Sequence, residues 1–256
     1  MKLRLRTRAY RRSQRIVRHL PGAVRSAHSL LWLRLLDHRD IDQLTMHSYA
    51  SRSGSGFDSE AHNVAGLHAS EETAFRDMLT AGMRVLVAGA GGGREMIALA
   101  KAGHDVTGFD AAADLVEACR ANLAIAGARG TMMTAQPGAV PDCGGGFDAL
   151  VIGRGVYHHI PGRTNRIAFL RACAAMIEED GPMIMGDVLT RSTLGRWAMT
   201  SAEPGDSLSD CFYHYFTVEL LAAEIAEAGF DAIECRATPS HGASQLTHVI
   251  ARRRAE

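Results

Sequence analysis

Two short stretches hold the residue types from which a chemical site is built. In RGVYHHI, residues 154 to 160, Arg154, Tyr157, His158 and His159 bring a cation, a phenol and two imidazoles together. A histidine with an ordinary pKa of about 6.5 can take a proton at neutral pH, which suits it to deprotonating a hydroxyl or ammonium group. In VLVAGAGGGREM, residues 85 to 96, glycines at 89, 91, 92 and 93 lead directly into helix-forming residues. Glycine supplies positive φ and lets a ligand approach the main chain, and the first N–H groups of the next helix then face that ligand. Together the stretches predict a nucleotide-like ligand next to proton-transferring side chains. Bland readings stand beside both: a structural glycine turn, and histidines that are packed or face solvent.

A dinucleotide is the first ligand to test, and its fingerprint is G-x-G-x-x-G. The third glycine would fall at position 94, which is Arg94, so the spacing present is G-x-G-x-G at Gly89, Gly91 and Gly93. The stretch GFD then ends the next apolar run and places Asp110 beside the glycine turn. A carboxylate there can accept both hydroxyls of a ribose; its structural alternative is a helix N-cap or turn aspartate. An adenosine-like ligand fits better than a dinucleotide.

These residues need strand ends and helix starts to hold them. Apolar β-like runs at 84–90, 105–110, 130–136, 147–153 and 181–189 alternate with helical patterns at 94–103, 113–127 and 166–177. A polar stretch at 190–212 precedes a helix at 217–230 with Thr217 as N-cap, and two last strands, DAIECRAT and LTHVIARRR, close the pattern. Such alternation implies right-handed crossovers and a parallel sheet covered on both faces, with ligands beyond the carboxyl ends of the strands. That rule puts Arg154, Tyr157, His158 and His159 after the fourth strand and Asp187 at the end of the fifth, at the mouth of the site. Tyr213 and His214, in DCFYHYF, are further candidates for an acceptor pocket. Upstream, the Gly/Ser-rich segment 49–75 reads as a mobile segment.

On VLVAGAGGG, GFD, PGAVPDCGGGFDALVIGRGVYHHI and FTVELLAAEIAEAGF, the chain resembles the class I S-adenosylmethionine-dependent methyltransferases over roughly residues 68 to 256. The resemblance implies a Rossmann-like, seven-stranded, mostly parallel sheet with helices on both faces and a last strand antiparallel to the other six. It implies two segments, a basic helical cap at 1–67 and the methyltransferase domain at 68–256. S-adenosyl-L-methionine is expected over Gly89, Ala90, Gly91 and Gly93, its ribose on Asp110, its adenine against Ala111 and the loop after strand 3, with Arg154 also at the cofactor. His158, Tyr157 and His159 are the expected catalytic residues, and Asp187, Tyr213 and His214 the expected acceptor contacts. Members of the family often use a segment such as 49–75 as a lid over the cofactor, and Asn63, Gly66 and Glu71 are placed at the ligand by that positional analogy. The family commonly has an acidic residue where this chain has Gln136; an amide oxygen can still accept the adenine amino group.

Composition is that of a globular protein, with 46% hydrophobic residues and zero formal net charge over 256 residues. Five cysteines without a C-x-x-C pair suggest neither a zinc site nor a disulfide framework, and fit a reducing, cytoplasmic setting. His62 and His68 lack metal-ligand spacing, so no metal is expected. No apolar run approaches the roughly 18 residues of a membrane span. Residues 1 to 40 hold eleven Lys/Arg against Asp37 and Asp40, an excess of 11 − 2 = +9. Such an arm favours an anionic or extended acceptor, or is a solvated helical face. The expected reaction is in-line methyl transfer to a small-molecule or peptide acceptor, at a hydroxyl or carboxylate oxygen. A nicotinamide oxidoreductase is disfavoured by Arg94, and an amino-directed nucleic-acid methyltransferase by GRGVY where its [D/N]-P-P-[Y/F] turn would stand. Other RNA methyltransferases and a noncatalytic cofactor binder are the alternatives.

Overall fold

The computed structural model describes residues 3–50, 58–194, 203–239 and 244–255; the centre of the expected lid and of the polar stretch after residue 190 lie outside these. Five helices come first: α1 (Leu5–Val17), α2 (Gly22–Leu35), α3 (His38–Ala50), α4 (Glu60–Val64) and α5 (Ala69–Met78). The alternating region follows as β1 (Arg84–Ala88), α6 (Arg94–Lys101), β2 (Asp105–Asp110), α7 (Ala113–Ile125), β3 (Thr131–Thr134) and β4 (Ala149–Ile152). After a 3-10 turn at Tyr157–His159 come α8 (Arg163–Ala174) and β5 (Pro182–Arg191). The chain ends with β6 (Asp206–Leu208), β7 (Phe212–His214), α9 (Val218–Glu227), β8 (Phe230–Pro239) and β9 (Ser244–Arg253).

Seven strands form one sheet in the order β3-β2-β1-β4-β5-β9-β8. The pairs among β1 to β5 are parallel, and β9 runs antiparallel to both β5 and β8. The expected inserted last strand is therefore present. Strand alternation sends residues to two cores. Leu86 and Ala88 point to the face covered by Ile167 and Leu170 of α8 and Leu221 and Ile225 of α9. Val85 and Val87 point to the face covered by Met96 and Leu99 of α6, Val116 and Leu123 of α7, and Phe75 of α5. Burial on both faces explains why β1 and β4 read as continuous apolar runs.

The order reverses between β1 and β4, so the loops that follow these two strands diverge from a shared crevice. The glycine turn and RGVYHHI, distant in sequence, meet there. Two expected boundaries move for local reasons. β1 stops at Ala88 because Gly89 turns to φ 72°, and α8 starts at Arg163 because Gly162, at φ 84°, breaks the preceding chain.

Within the polar stretch after residue 190, β6 and β7 pair as a small antiparallel hairpin. The first three helices pack against it. Tyr10, Leu33, Leu36, Ile41 and Leu44 form a third core with Leu208 and Phe212. The Tyr10 hydroxyl donates to Ser209 O at 2.6 Å, and Leu208 N–H donates to Ser29 Oγ at 2.8 Å. The basic arm is thus joined to the hairpin that precedes α9. Among the described residues no helix is long and apolar enough to cross a membrane.

Candidate active site

The glycine turn serves two purposes. A Cβ on Gly89 would fall 2.1 Å from Val156 Cγ2, and one on Gly93 would fall 2.7 Å from Cys119 Sγ, so both residues are fixed by packing. Gly93 stands behind the turn against α7 and does not line the cavity, a correction to its expected place at the ligand. Gly91 differs: at φ 52°, a Cβ there would meet nothing within 4 Å. The bare backbone at Gly91 faces open space. That space is a cavity of about 430 Å³.

Asp110 ends β2 at this cavity. Its Oδ2 accepts Gly91 N–H at 2.9 Å and its Oδ1 accepts Ala112 N–H at 2.8 Å. Burial raises its pKa, and the N–H groups of Ala112, Gly91 and Ala111 oppose that rise by solvating the charge. The turn-aspartate and ligand readings are therefore compatible: a carboxylate has about four acceptor sites, and these three N–H groups do not exhaust them. Ala90, Ala111 and Gln136 line the same cavity, and Gln136 is exposed to solvent.

At the other end stands a wall of rings. The centroids of His158 and His159 lie 4.6 Å apart, His159 and Tyr213 4.8 Å, and Tyr49 meets His159 edge-on at 5.6 Å. The two histidines differ in chemistry. His158 is buried, its Nδ1 accepts Leu189 N–H at 3.2 Å, and burial, with His159 and His214 nearby, drives its pKa well below the ordinary value. It stays neutral. His159 is half-buried, and its Nδ1 lies 2.5 Å from Phe212 O. A carbonyl only accepts, so Nδ1 carries the hydrogen and Nε2 holds the lone pair.

Arg154 and Asp187 also line the cavity, bound to each other. Arg154 Nε meets Asp187 Oδ2 at 2.7 Å, and Arg154 Nη1 meets His68 Nε2 at 2.7 Å. This chain of groups ties the loop after β4 to β5 and to the start of α5. His62 and Asn63 line the cavity from α4. Gly66 and Glu71, placed at the ligand by position, do not. Glu71 instead grips Arg94 through both carboxylate oxygens, at 2.5 and 2.7 Å, and Arg94 also meets Glu95 at 2.6 Å. Arg94, the residue in place of the third glycine, thereby clamps α5 onto the start of α6.

Sequence reasoning missed one wall. Asp42, Thr45, Met46 and Tyr49 of α3 line the cavity. Their i, i+3, i+4, i+7 spacing is a single helix face. Its mixed polarity disguised it, since only an apolar stripe announces burial.

Two expected site residues lie elsewhere. Tyr157 is 1% exposed and its hydroxyl donates to Glu224 Oε2 at 2.7 Å, so it is packed into the core beside Phe216, with burial raising its pKa. In a 3-10 turn the side chains at successive positions diverge by about a third of a turn, which sends Tyr157 inward while the histidines reach the cavity. His214 is buried with Nδ1 2.7 Å from Asp206 Oδ1, also off the cavity. Glu203, Asp206 and His214 bring potential ligand atoms within 4.8 Å of one another, a grouping their spacing did not announce. The Arg166 guanidinium already holds Glu203 Oε2 at 2.7 Å, which places a fixed cation where a metal would need a free carboxylate.

A family model described as "Methyltransferase domain" matches residues 85–181, which span β1 through α8 and both halves of the crevice. No curated protein matches the chain. Among solved structures, a SAM-dependent methyltransferase from Methanosarcina mazei superposes with a TM-score of 0.61 at 15% identity, covering 75% of this chain and 100% of its own. The 1,6-didemethyltoxoflavin-N1-methyltransferase of Burkholderia thailandensis, with bound 1,6-didemethyltoxoflavin and S-adenosylhomocysteine, gives 0.63 at 18% identity, covering 86% and 92%. Magnesium protoporphyrin IX methyltransferase from Synechocystis, with bound SAH, gives 0.52 at 19% identity, covering 72% and 78%. At these identities the likeness is one of fold.

Proposed function

We propose that the chain is a class I S-adenosylmethionine-dependent methyltransferase that methylates a small-molecule or peptide acceptor at the ring-lined end of the cavity, with His159 taking the proton. The observation that carries this reading is the shared cavity. One continuous space reaches from Gly91 and Asp110 to His159 and Tyr213, so a nucleoside-bearing cofactor and an acceptor fit side by side. Gly91 offers unobstructed backbone and Asp110 a carboxylate with acceptor capacity left for ribose hydroxyls. When bound, S-adenosylmethionine supplies an already activated methyl group.

The protein's share of the chemistry is alignment, exclusion of water and removal of one proton. Alignment comes from rings: Tyr49, Tyr213 and the imidazoles pack on one another into one wall, against which a planar acceptor can be held. Positioning of this kind supplies several kcal/mol of the barrier, up to about 7–11 in well-aligned systems. Proton removal falls to His159 Nε2, because Phe212 O fixes the hydrogen on Nδ1. His158 is unsuited to the same task, since burial holds it neutral with low basicity and Leu189 N–H occupies Nδ1. Its place is to support the ring wall. A hydroxyl or ammonium acceptor needs the base; an ionised carboxylate needs positioning alone.

The test incubates the full chain with methyl-labelled cofactor and fractionated extract from its source, and identifies the labelled product. With that acceptor, His159→Ala should reduce kcat about 10²–10⁴-fold and remove the rise of rate with pH. A folded variant that keeps both the rate and the pH profile would take His159 out of base catalysis and leave the carboxylate acceptor as the reading.

A further inference from the structure

Gln136, the residue expected to meet the adenine amino group, is exposed and carries no charge. The cavity contains another acceptor for such a group, brought by the N-terminal helices. Asp42 and Thr45 sit one turn apart on the cavity face of α3. Thr45 is 8% exposed, and its Oγ1 is buried without a hydrogen-bond partner. Nothing donates a hydrogen bond to the Asp42 carboxylate among the described residues: burial lifts its pKa to about 6, modified only by the charges of His38 and Asp37. A buried hydroxyl and a half-buried carboxylate without partners are unfavourable by themselves, since desolvation of such groups goes uncompensated. Their placement makes sense if a ligand completes them.

The path of α3 fixes which end of the cavity they serve. Tyr49, near its carboxyl end, packs on His159. His38, at its start, lies beside Gly162 and has Nδ1 3.2 Å from Asn165 Nδ2. The helix thus runs alongside residues 159–162 in the opposite direction. Asp42 is seven residues from Tyr49, about 10 Å along the helix. That displacement carries it away from the ring wall and toward Ile160 and Pro161, and a Cβ on Gly138 would touch Ile160 Cγ2 at 3.9 Å. Gly138 belongs to the segment 136–139 that lines the cavity after β3. This path directs Asp42, with Thr45 one turn behind it, from the ring wall toward the Gln136 side.

We infer that Asp42 and Thr45 of α3 recognise an amino group at the Gln136 end of the cavity, the 6-amino group of the cofactor's adenine, with the carboxylate accepting an N–H and the threonine hydroxyl serving the neighbouring ring edge. This rests on the methyltransferase reading above. It makes the N-terminal helices part of the cofactor site and supplies, from another element, the acid missing at position 136. An amino group on the acceptor has the same chemistry, and the experiment separates the two sources.

Titration calorimetry of the full chain would compare S-adenosylhomocysteine with S-inosylhomocysteine, in which a 6-oxo group replaces the amine. The wild-type chain should prefer the amino form at least tenfold. Asp42→Ala, which removes the acceptor altogether, should weaken S-adenosylhomocysteine about tenfold and erase most of the preference, and Thr45→Val should weaken it several-fold. Because neither group has a protein partner, both variants should melt no lower than the wild-type chain; if Asp42→Ala nevertheless fails to fold, Thr45→Val carries the comparison. Undiminished affinity and preference in the folded variants overturn the inference and move the amine to the acceptor. Failure of the wild-type chain to bind S-adenosylhomocysteine at all overturns it together with the methyltransferase reading, a distinct result.

Discussion

A single side chain at this site often has two duties, and Asp110 shows how they combine. Its carboxylate closes the turn by accepting Gly91 and Ala112 N–H, and the same contacts oppose the rise in pKa that burial causes. Asp110→Ala should lower cofactor affinity by roughly 1.5–3 kcal/mol, about ten- to a hundred-and-fifty-fold, measured by calorimetry with S-adenosylhomocysteine. Unchanged affinity in a folded variant would remove the ribose assignment. The histidine pair makes the opposite point, because two identical neighbours are separated by their partners: an N–H facing Nδ1 in His158 and a carbonyl facing it in His159. Sequence cannot distinguish them, since both partners come from strands more than thirty residues later.

At the scale of elements, two buried ionic clusters lock helices that flank the crevice. Arg94 with Glu71 and Glu95 binds α5 to α6, and Arg166 with Glu224 and Glu203 binds α8 to α9 and to the segment before β6. The second also takes the Tyr157 hydroxyl, anchoring the turn that presents the histidines. Arg166 Nε and Nη2 reach the two Glu224 oxygens at 3.0 and 2.7 Å, in a planar two-point contact. Replacing Glu224 by alanine would leave a buried guanidinium and a buried phenol short of their acceptor. Glu224→Ala should therefore destabilise the fold by about 3–5 kcal/mol in urea unfolding. A loss below about 1 kcal/mol would mean that Glu203 alone satisfies Arg166.

For the whole molecule, the N-terminal helices change meaning once their packing is known. Read as a basic arm, residues 1–25 should be dispensable for cofactor binding. In the structure Tyr10 is completely buried, and α3 lines the cavity. Removing residues 1–25 strips the cover from Leu33, Leu36 and Phe212, and the buried Tyr10 alone contributes roughly 1.5–3 kcal/mol. The truncated chain should melt below the full chain in a thermal scan, and its affinity for S-adenosylhomocysteine should fall as α3 loses its support. An unchanged Tm would make the arm an appendage. None of the arginines of α1 and α2 lines the cavity, so their charge can act on an acceptor only by steering its approach.

The sequence by itself determined the sheet, its crossovers and the glycine-turn side of the crevice. Each of these depends on local pattern: apolar runs of strand length, helix-length spacing between them, glycines where a turn needs positive φ, and an aspartate at a strand end. Tertiary structure alone decided which of those residues face the cavity. Gly93 and Tyr157 carry the right types at the right places, yet Cys119 and Glu224, contributed by other elements, draw them into packing. His214 turns to Asp206 across a hairpin that the polar stretch concealed. Asp42 and Thr45 carry no motif, because a helix face becomes a binding wall only when a distant surface stands opposite. Periodicity records which face of an element is buried, and only the packed chain determines what that face meets.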